Sequence, residues 1–399
     1  MTPTPKLIDP RPECQVDGCG HKSHFLGPHL AADHGMTLHE YVAAYPKAPT
    51  VSQDYLDHVE TEFKGMRRNA APGIDNLTFD ACGFKVEVDA GADPDTCAMI
   101  PEAYRFPTKG KAREMMKDAI MDILDGLNVY IWGFPGTGKD GFLLALSGMA
   151  RKPLVMNNIV PDRDIGPWFY QRSMDKDGTG WDFGHLWNVV TKGVMGRDGV
   201  ARPAIVVLTD LDRADPAQVE WLRLLMDSTQ GRIVGPEGEV VSVFPGTQFV
   251  ATANTNGSGD DRGRMVSAGC LDASILDRFD SAVQFAYLHW DDEVIIVREK
   301  FPALAEKAPQ FIEQVGNATR ALREAIDKDE LYAEFSHRAL CSVLSRAERM
   351  LRRDDSMPSK FGARAFRAWT HKLDADNRLI ARRLIDPHLS GGALDEESY

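Results

Sequence analysis

The chain has 399 residues, 46 of them Lys or Arg and 59 Asp or Glu, for a net charge of −13. A hydrophobic share of 43% and a charged share of 26% describe a globular protein with ample chain for a core, and the length suggests two or three domains. The acidic balance excludes a protein held on nucleic acid by bulk positive charge, while a local basic patch stays open. No run of 18 apolar residues predicts a membrane span. The polar, Pro-rich start, residues 1–12, has no apolar h-region, so no secretory leader is expected there, and six cysteines in this length imply no disulfide framework. A soluble cytoplasmic protein is the expectation.

Residues 1–50 hold five of the eleven histidines. Cys14, Cys19, His29 and His34 follow a Cys-x4-Cys-x9-His-x4-His spacing, and two thiolates with two imidazoles suit tetrahedral Zn2+. A short helix over GPHLAADHGM would bring both imidazoles to one side, and His24 is a substitute ligand. A module this small usually needs a metal to fold. Its cations from residue 11 on are Arg11, Lys22 and Lys47, so a structural or docking module is favoured over a DNA reader. Residues 51–100 read as an acidic connecting arm with short strands, broken at Pro72, Gly73, Gly91 and Pro94.

Residues 101–290 alternate apolar strand runs with helical segments, which predicts an α/β core with a parallel sheet flanked by helices. Within them, a strand over 129–132 enters GFPGTGKD and a helical run, GFLLALSGMA, follows. That strand–GxxxxGK–helix order is the context of a phosphate loop. Gly133, Pro135, Gly136, Thr137 and Gly138 would cradle the phosphates of ATP with backbone N–H groups, and Lys139 would reach the β- and γ-phosphates. Position 140, where a Ser or Thr hydroxyl would ligate Mg2+, is Asp140. A second strand, AIVVLTDLD, carries Thr209 and Asp210 at its end. Residues 231–246 read as a β-hairpin. A third strand, TQFVATAN, ends at Asn254, placed to hydrogen-bond near the attacking water or the γ-phosphate. SILDRFD and FSHRA follow, with Arg278 and Arg338. Residues 291–399 carry helical periodicity, a basic stretch (Arg346, Arg349, Arg352, Arg353, Lys360, Arg364, Arg367) that reads as a solvated helix face, and an acidic, frayed tail.

Taken together, IPEAYRF, GFPGTGKD, FVATANTNGSGD, SILDRFD and WDDEVIIV resemble the AAA+ ATPases of the MoxR branch, most closely the CobS subunit of cobaltochelatase, over roughly residues 101–345. The resemblance implies an AAA+ core with an all-α lid. It implies roles for Lys139 in phosphate binding, Asn254 as sensor 1, Arg278 as arginine finger toward a neighbouring subunit, and Arg338 as the lid's sensor-2 arginine. Asp210 falls where the catalytic glutamate belongs. Residues 161–187 take the place of the helix-2 insert and residues 231–246 that of the pre-sensor-1 hairpin. Trp168, Phe169, Tyr170 and Trp181 would then face the pore or a partner, or else belong to the core. HLAADHGMTLHEYVAAYP resembles the finger of the Ros/MucR regulators.

Two departures from the family pattern are read as linked. Asp140 stands where a hydroxyl is expected and Thr209 where a carboxylate is expected, which keeps one of each beside the metal. In that reading Asp140 ligates magnesium and Thr209 orients Asp140. A register with Asp210 as the metal-side carboxylate and Asp212 as the base is also open. The resemblance implies a homo-oligomeric ring, expected to be a hexamer, that remodels a partner protein with a von Willebrand factor A-type (VWA) domain. In the chelatase setting the work is cobalt insertion, and CobS-like proteins also occur in phages. A nucleotide-locked assembly subunit and a DNA-directed ATPase are the alternatives.

Overall fold

The computed structural model describes residues 12–22, 26–36, 41, 44, 45, 48–50, 67–69, 76–102, 104–175, 178–227, 231–259, 269–353 and 361–389. His24, Lys360 and the acidic tail lie outside these residues. The sheet at its centre has five parallel strands: β1 (Val129–Trp132), β2 (Leu154–Asn158), β3 (Ile205–Thr209), β4 (Gln248–Ala253) and β5 (Ser281–Gln284). Their order is β5–β1–β4–β3–β2, with β1, β4 and β3 in the interior. All six residues of β4 are buried because helices cover both faces, and its two polar side chains are paired, Gln248 donating to the Ile123 carbonyl and Thr252 to Asp140.

Helices Gly110–Leu124 and Lys139–Ala150 lie on one face, against Val129, Ile131, Val207 and Val250. Helices His185–Lys192 and Pro216–Leu225 lie on the other, against Tyr130, Val206, Leu208 and Ala251. The second of these starts sharply at Asp215, which forms a capping box with Gln218 and precedes a Pro at the first helical position. Residues 76–87 form an antiparallel hairpin whose Phe79, Ala81 and Val86 join the same core as the first pair of helices. The expected arm is therefore packed onto the α/β core at these residues. The hairpin expected at 231–246 is present as Arg232–Val234 with Val240–Ser242, and the 161–187 segment, expected only as an insert, holds a second one, Tyr170–Asp175 with Gly178–Phe183.

After β5 the chain turns wholly helical, from Trp290–Lys300 to Ala375–Ile385, around its own core of Phe301, Phe311, Leu322, Phe335, Leu344 and Phe366. This is the phosphate-loop α/β core with a helical C-terminal region that the AAA+ resemblance implies. One helix ties the two together. Asp292, 7% exposed, accepts from the Thr108 N–H (2.9 Å), the Thr108 hydroxyl (2.6 Å) and the Lys109 N–H (3.1 Å). Lys109 Nζ reaches the neighbouring Asp291 at 2.6 Å. Among the described residues no helix is long and apolar enough to cross a membrane.

Replacing Asp292 by Ala would strand three donors of the core beside a shielded site. We expect Asp292→Ala to lower the unfolding free energy by about 3 kcal/mol in urea denaturation, and Asp292→Asn to lose clearly less.

Candidate nucleotide site and metal centre

At the carboxyl ends of β1, β3 and β4 the loop Gly133–Gly138 curls over the start of the helix Lys139–Ala150. Two of its glycines are obligatory. Gly133 has φ +147° and a Cβ there would sit 2.4 Å from the Phe285 carbonyl oxygen. Gly136 has φ +74° and a Cβ there would sit 2.6 Å from Ser336 Cβ of the helical region. The Thr137 hydroxyl closes the loop on the Phe134 carbonyl at 2.9 Å. Lys139 folds back beneath it, donating to the Gly133 carbonyl (2.7 Å), the Phe134 carbonyl (3.3 Å) and Asn254 Oδ1 (3.3 Å). Burial lowers the lysine's pKa, against the opposing pull of Asp140, Asp212 and Asp210.

Asn254 is the centre of the arrangement. Its Oδ1 faces Lys139 and its Nδ2 donates to Asp210 Oδ1 at 3.4 Å. Asp210 follows β3 directly in a left-handed conformation, φ 56°, which a short polar side chain tolerates better than a branched one. Asp212 is 1% exposed, and its Oδ2 accepts from the N–H groups of Asn254 (2.9 Å) and Thr255 (3.0 Å) and the Thr255 hydroxyl (3.2 Å). The open register with Asp212 as base is not what this burial fits. Asp212 holds the turn that presents Asn254.

The linked exchange takes a different form. Asp140 Oδ1 accepts from the Thr252 hydroxyl at 3.0 Å. Thr209 donates instead to the Asn157 carbonyl (3.3 Å) and Asn158 Oδ1 (3.1 Å). Thr209 and Thr252 are register partners on β3 and β4, so both stand on the same face of the sheet. The side chain on Asp140 belongs to β4, a residue that reading the two motifs alone missed. The signal was the Thr two positions before Asn254, on the same face of an alternating strand.

Arg278 does not reach this cluster within its own chain. Its Nη1 lies 3.7 Å from Asp227 Oδ2. Arg338 is exposed in the first turn of the helix His337–Arg353, two residues beyond Ser336, which touches Gly136. Of the four aromatics offered for a partner, Phe169 is fully buried and stacks on Trp221 (5.4 Å). Trp168 and Tyr170 are partly buried against the same core, and Trp181 packs edge-on to Tyr170. The residues of the hairpins that do stand out are Met174, Phe183, Val234 and Val240. Beside the loop a cavity of ≈ 570 Å³ opens between Phe134, Tyr287 and the helix Pro309–Asp327.

A second cluster lies at the N-terminus. Cys14, Cys19, His29 and His34 place one ligand atom each within 4.8 Å of one another. His34 Nε2 is 3.2 Å from His29 Nε2, and Cys14 Sγ is 3.7 Å from His34 Nε2. Tetrahedral zinc with ordinary bond lengths sets N···N near about 3.3 Å and S···N near about 3.6 Å; the first two distances match and Cys19 Sγ to His29 Nε2, at 3.0 Å, is shorter, so the donor set is of the right kind and close to the right size. His29 Nδ1 is 2.6 Å from Asp33 Oδ2, the carboxylate that fixes a ligating imidazole's tautomer. The helix Gly27–His34 sets the two imidazoles side by side, over a cluster that among the described residues buries Cys14, Leu26, Leu30 and Tyr41, with Val16, Met36 and Tyr45 packed against it.

Elemental analysis of the purified chain is expected to find about one zinc per chain. Asp33→Ala should weaken zinc affinity by about 10–100-fold in competition with a chelator. Stripping the metal should abolish hydrogen-exchange protection at Leu30 while leaving β4 protected.

No family model matches the sequence, and no curated protein matches it. Several solved structures are similar to it at low identity. A RuvB mutant of Thermotoga maritima is 12% identical with a TM-score of 0.43, covering 75% of this chain and 77% of that one. A structure of the same protein, described as a Holliday junction branch migration motor, is 11% identical with a TM-score of 0.39, covering 72% and 73%. NtrX from Brucella abortus in complex with ADP is 16% identical with a TM-score of 0.42, covering 71% of this chain and 62% of that one.

Proposed function

We propose that the chain is a ring-forming AAA+ ATPase that binds ATP with magnesium at this site and uses hydrolysis to remodel a partner protein. The observation that carries the reading is the chain Lys139–Asn254–Asp210 at the mouth of the phosphate loop, with Asp140 beside it. Lys139 binds the β- and γ-phosphates, Asn254 orients the attacking water, and Asp210 accepts its proton. The carboxylate of Asp140, steadied by Thr252, is a hard oxygen donor suited to Mg2+, whose contribution when bound is to neutralise phosphate charge. The cavity beside Phe134 and Tyr287 has the volume of a small-ligand pocket and takes the base and ribose. Arg278 and Arg338 act toward the nucleotide as finger and sensor 2. For the finger, Arg278 must leave Asp227.

Within the class, the motifs favour the MoxR branch and a CobS-like subunit, working as a hexamer on a VWA-domain partner. The finger adds a docking module. Its Lys22 is paired with Glu13 at 3.2 Å, which leaves little positive charge for a nucleic-acid backbone. The second reading, a subunit that binds nucleotide without hydrolysing it, is favoured by Asp210 itself. It is one methylene shorter than glutamate, and placement errors of about 1 Å can cost roughly 100-fold.

The deciding assay is ATP turnover of the full chain with and without DNA. We expect DNA-independent turnover. Lys139→Ala should abolish nucleotide binding. Asp210→Asn should lower kcat by about 10²–10⁴-fold with ATP affinity unchanged. Tight ATP binding with no turnover in the unaltered chain supports the second reading, and stimulation by DNA makes it a DNA-directed ATPase. Thr252→Val should raise the magnesium needed for half-maximal nucleotide binding by about tenfold, with Thr209→Val having little effect.

A further inference from the structure

The phosphate loop is touched at two points, one by the helical region and one by the segment that leads into it, and both contacts lead to one carboxylate. The first point is Gly136, on which Ser336 sits. The next residue, His337, places Nδ1 2.8 Å from Glu293 Oε1. The second point is the Phe134–Pro135 segment. Phe134 stacks nearly parallel on Tyr287 (6.3 Å, 8°), and the Tyr287 hydroxyl donates to the Pro135 carbonyl at 3.4 Å. The Arg323 guanidinium lies over the Tyr287 ring at 4.3 Å. Arg323 in turn grips Glu293 with two bonds, 2.7 and 2.9 Å, and donates to the Phe335 carbonyl at 3.0 Å. The contacts therefore close a circuit from the loop, through Tyr287, Arg323, Glu293 and His337, back to the loop.

We propose that Glu293 is a positioning residue for nucleotide binding, one buried carboxylate that holds the helical lid against both sides of the phosphate loop through Arg323 and His337. This rests on the reading of the loop as a nucleotide site. Glu293 is 1% exposed, and burying a charged pair is weak evidence for a stabilising role, because its desolvation cancels much of the attraction. What the network does supply is geometry. The helices Trp290–Lys300, Pro309–Asp327 and His337–Arg353 each contribute one member, so all three move as a unit on the loop.

The charge also suits the site. Burial works against a charged His337, but the bonds to Cys341 and Glu293 outweigh it and push its pKa up to about 9. Glu293 is held below its ordinary value: burial alone would raise it, and His337 and Arg323 reverse that. At neutral pH the trio thus carries one net positive charge beside the phosphate loop, which favours an anion. The other titratable groups around it are Cys341 on the same helix, Tyr287 after β5, and Asp327 and Glu334 nearby. A raised histidine pKa means the docked lid favours the protonated form. Its contribution is complete below the ordinary value of about 6.5 and is lost as pH rises through about 9.

The test is calorimetric titration of the full chain with ADP, from about pH 7 to about pH 10, for the unaltered chain, Glu293→Gln and His337→Gln. We expect affinity of the unaltered chain to fall as pH passes about 9. His337→Gln should bind about tenfold more weakly at neutral pH and lack that step, while Glu293→Gln should shift it toward the ordinary histidine range. The alkaline titration of Lys139 is common to all three and cancels in the comparison. Variants that lose thermal stability but keep the affinity and pH profile of the unaltered chain would overturn the proposal. If Glu293→Gln does not fold, the variant at His337, a side chain 28% exposed, decides alone. Failure of the unaltered chain to bind ADP at all overturns the nucleotide reading instead.

Discussion

The ammonium of Lys139 is buried at the carboxyl edge of the sheet, and much of the surrounding structure serves to carry that charge. An isolated cation in such a place is costly unless it is hydrogen-bonded and counter-charged. Two loop carbonyls and Asn254 supply the bonds, and Asp140, Asp212 and Asp210 supply the field. Those groups are placed by three strand ends. Asp140 follows the loop from β1, Asp210 and Asp212 follow β3, and Asn254 follows β4. The parallel sheet brings these ends to one edge, which is where open α/β sheets bind ligands.

The helical region is bound to this edge by acids spaced one residue apart. Asp291, Asp292 and Glu293 are consecutive, and each has its own partner: Lys109, Thr108 with Lys109, and Arg323 with His337. The first two face the segment that enters the α/β core. The third faces the interior of the lid. One turn of helix therefore fixes both the junction with the α/β core and the packing inside the helical region. The N-terminal cluster is built on another principle. Among the described residues its buried apolar cluster is small, Cys14, Leu26, Leu30 and Tyr41, and the donor set Cys14, Cys19, His29 and His34 lies against it, where a bound metal would add the cross-link that so small a core lacks.

Much of this was legible from residue order. The phosphate loop, the parallel sheet, the hairpin at 231–246, the helical C-terminal region and the Cys/His cluster all follow from local spacing, turn chemistry and hydrophobic runs. These are short-range properties, written in consecutive residues. The site's inner contacts are not. Thr209 and Thr252 are equally good hydroxyl partners for Asp140 on paper. Strand register and side-chain direction chose Thr252 and turned Thr209 toward Asn158. Phe169, left open between a contact residue and the core, is core, because it stacks on Trp221.

The sequence by itself determined which chemistry the chain carries: a lysine on a glycine loop, carboxylates after a buried strand, an asparagine at the end of another, thiols and imidazoles at metal spacing. Only the tertiary structure decided which of these groups meet. Asp212 became the holder of Asn254, and Glu293 the link between lid and loop, because their partners lie dozens of residues away and are brought near by packing. Pairing across such distances depends on how helices seat on a sheet, and no local pattern encodes that.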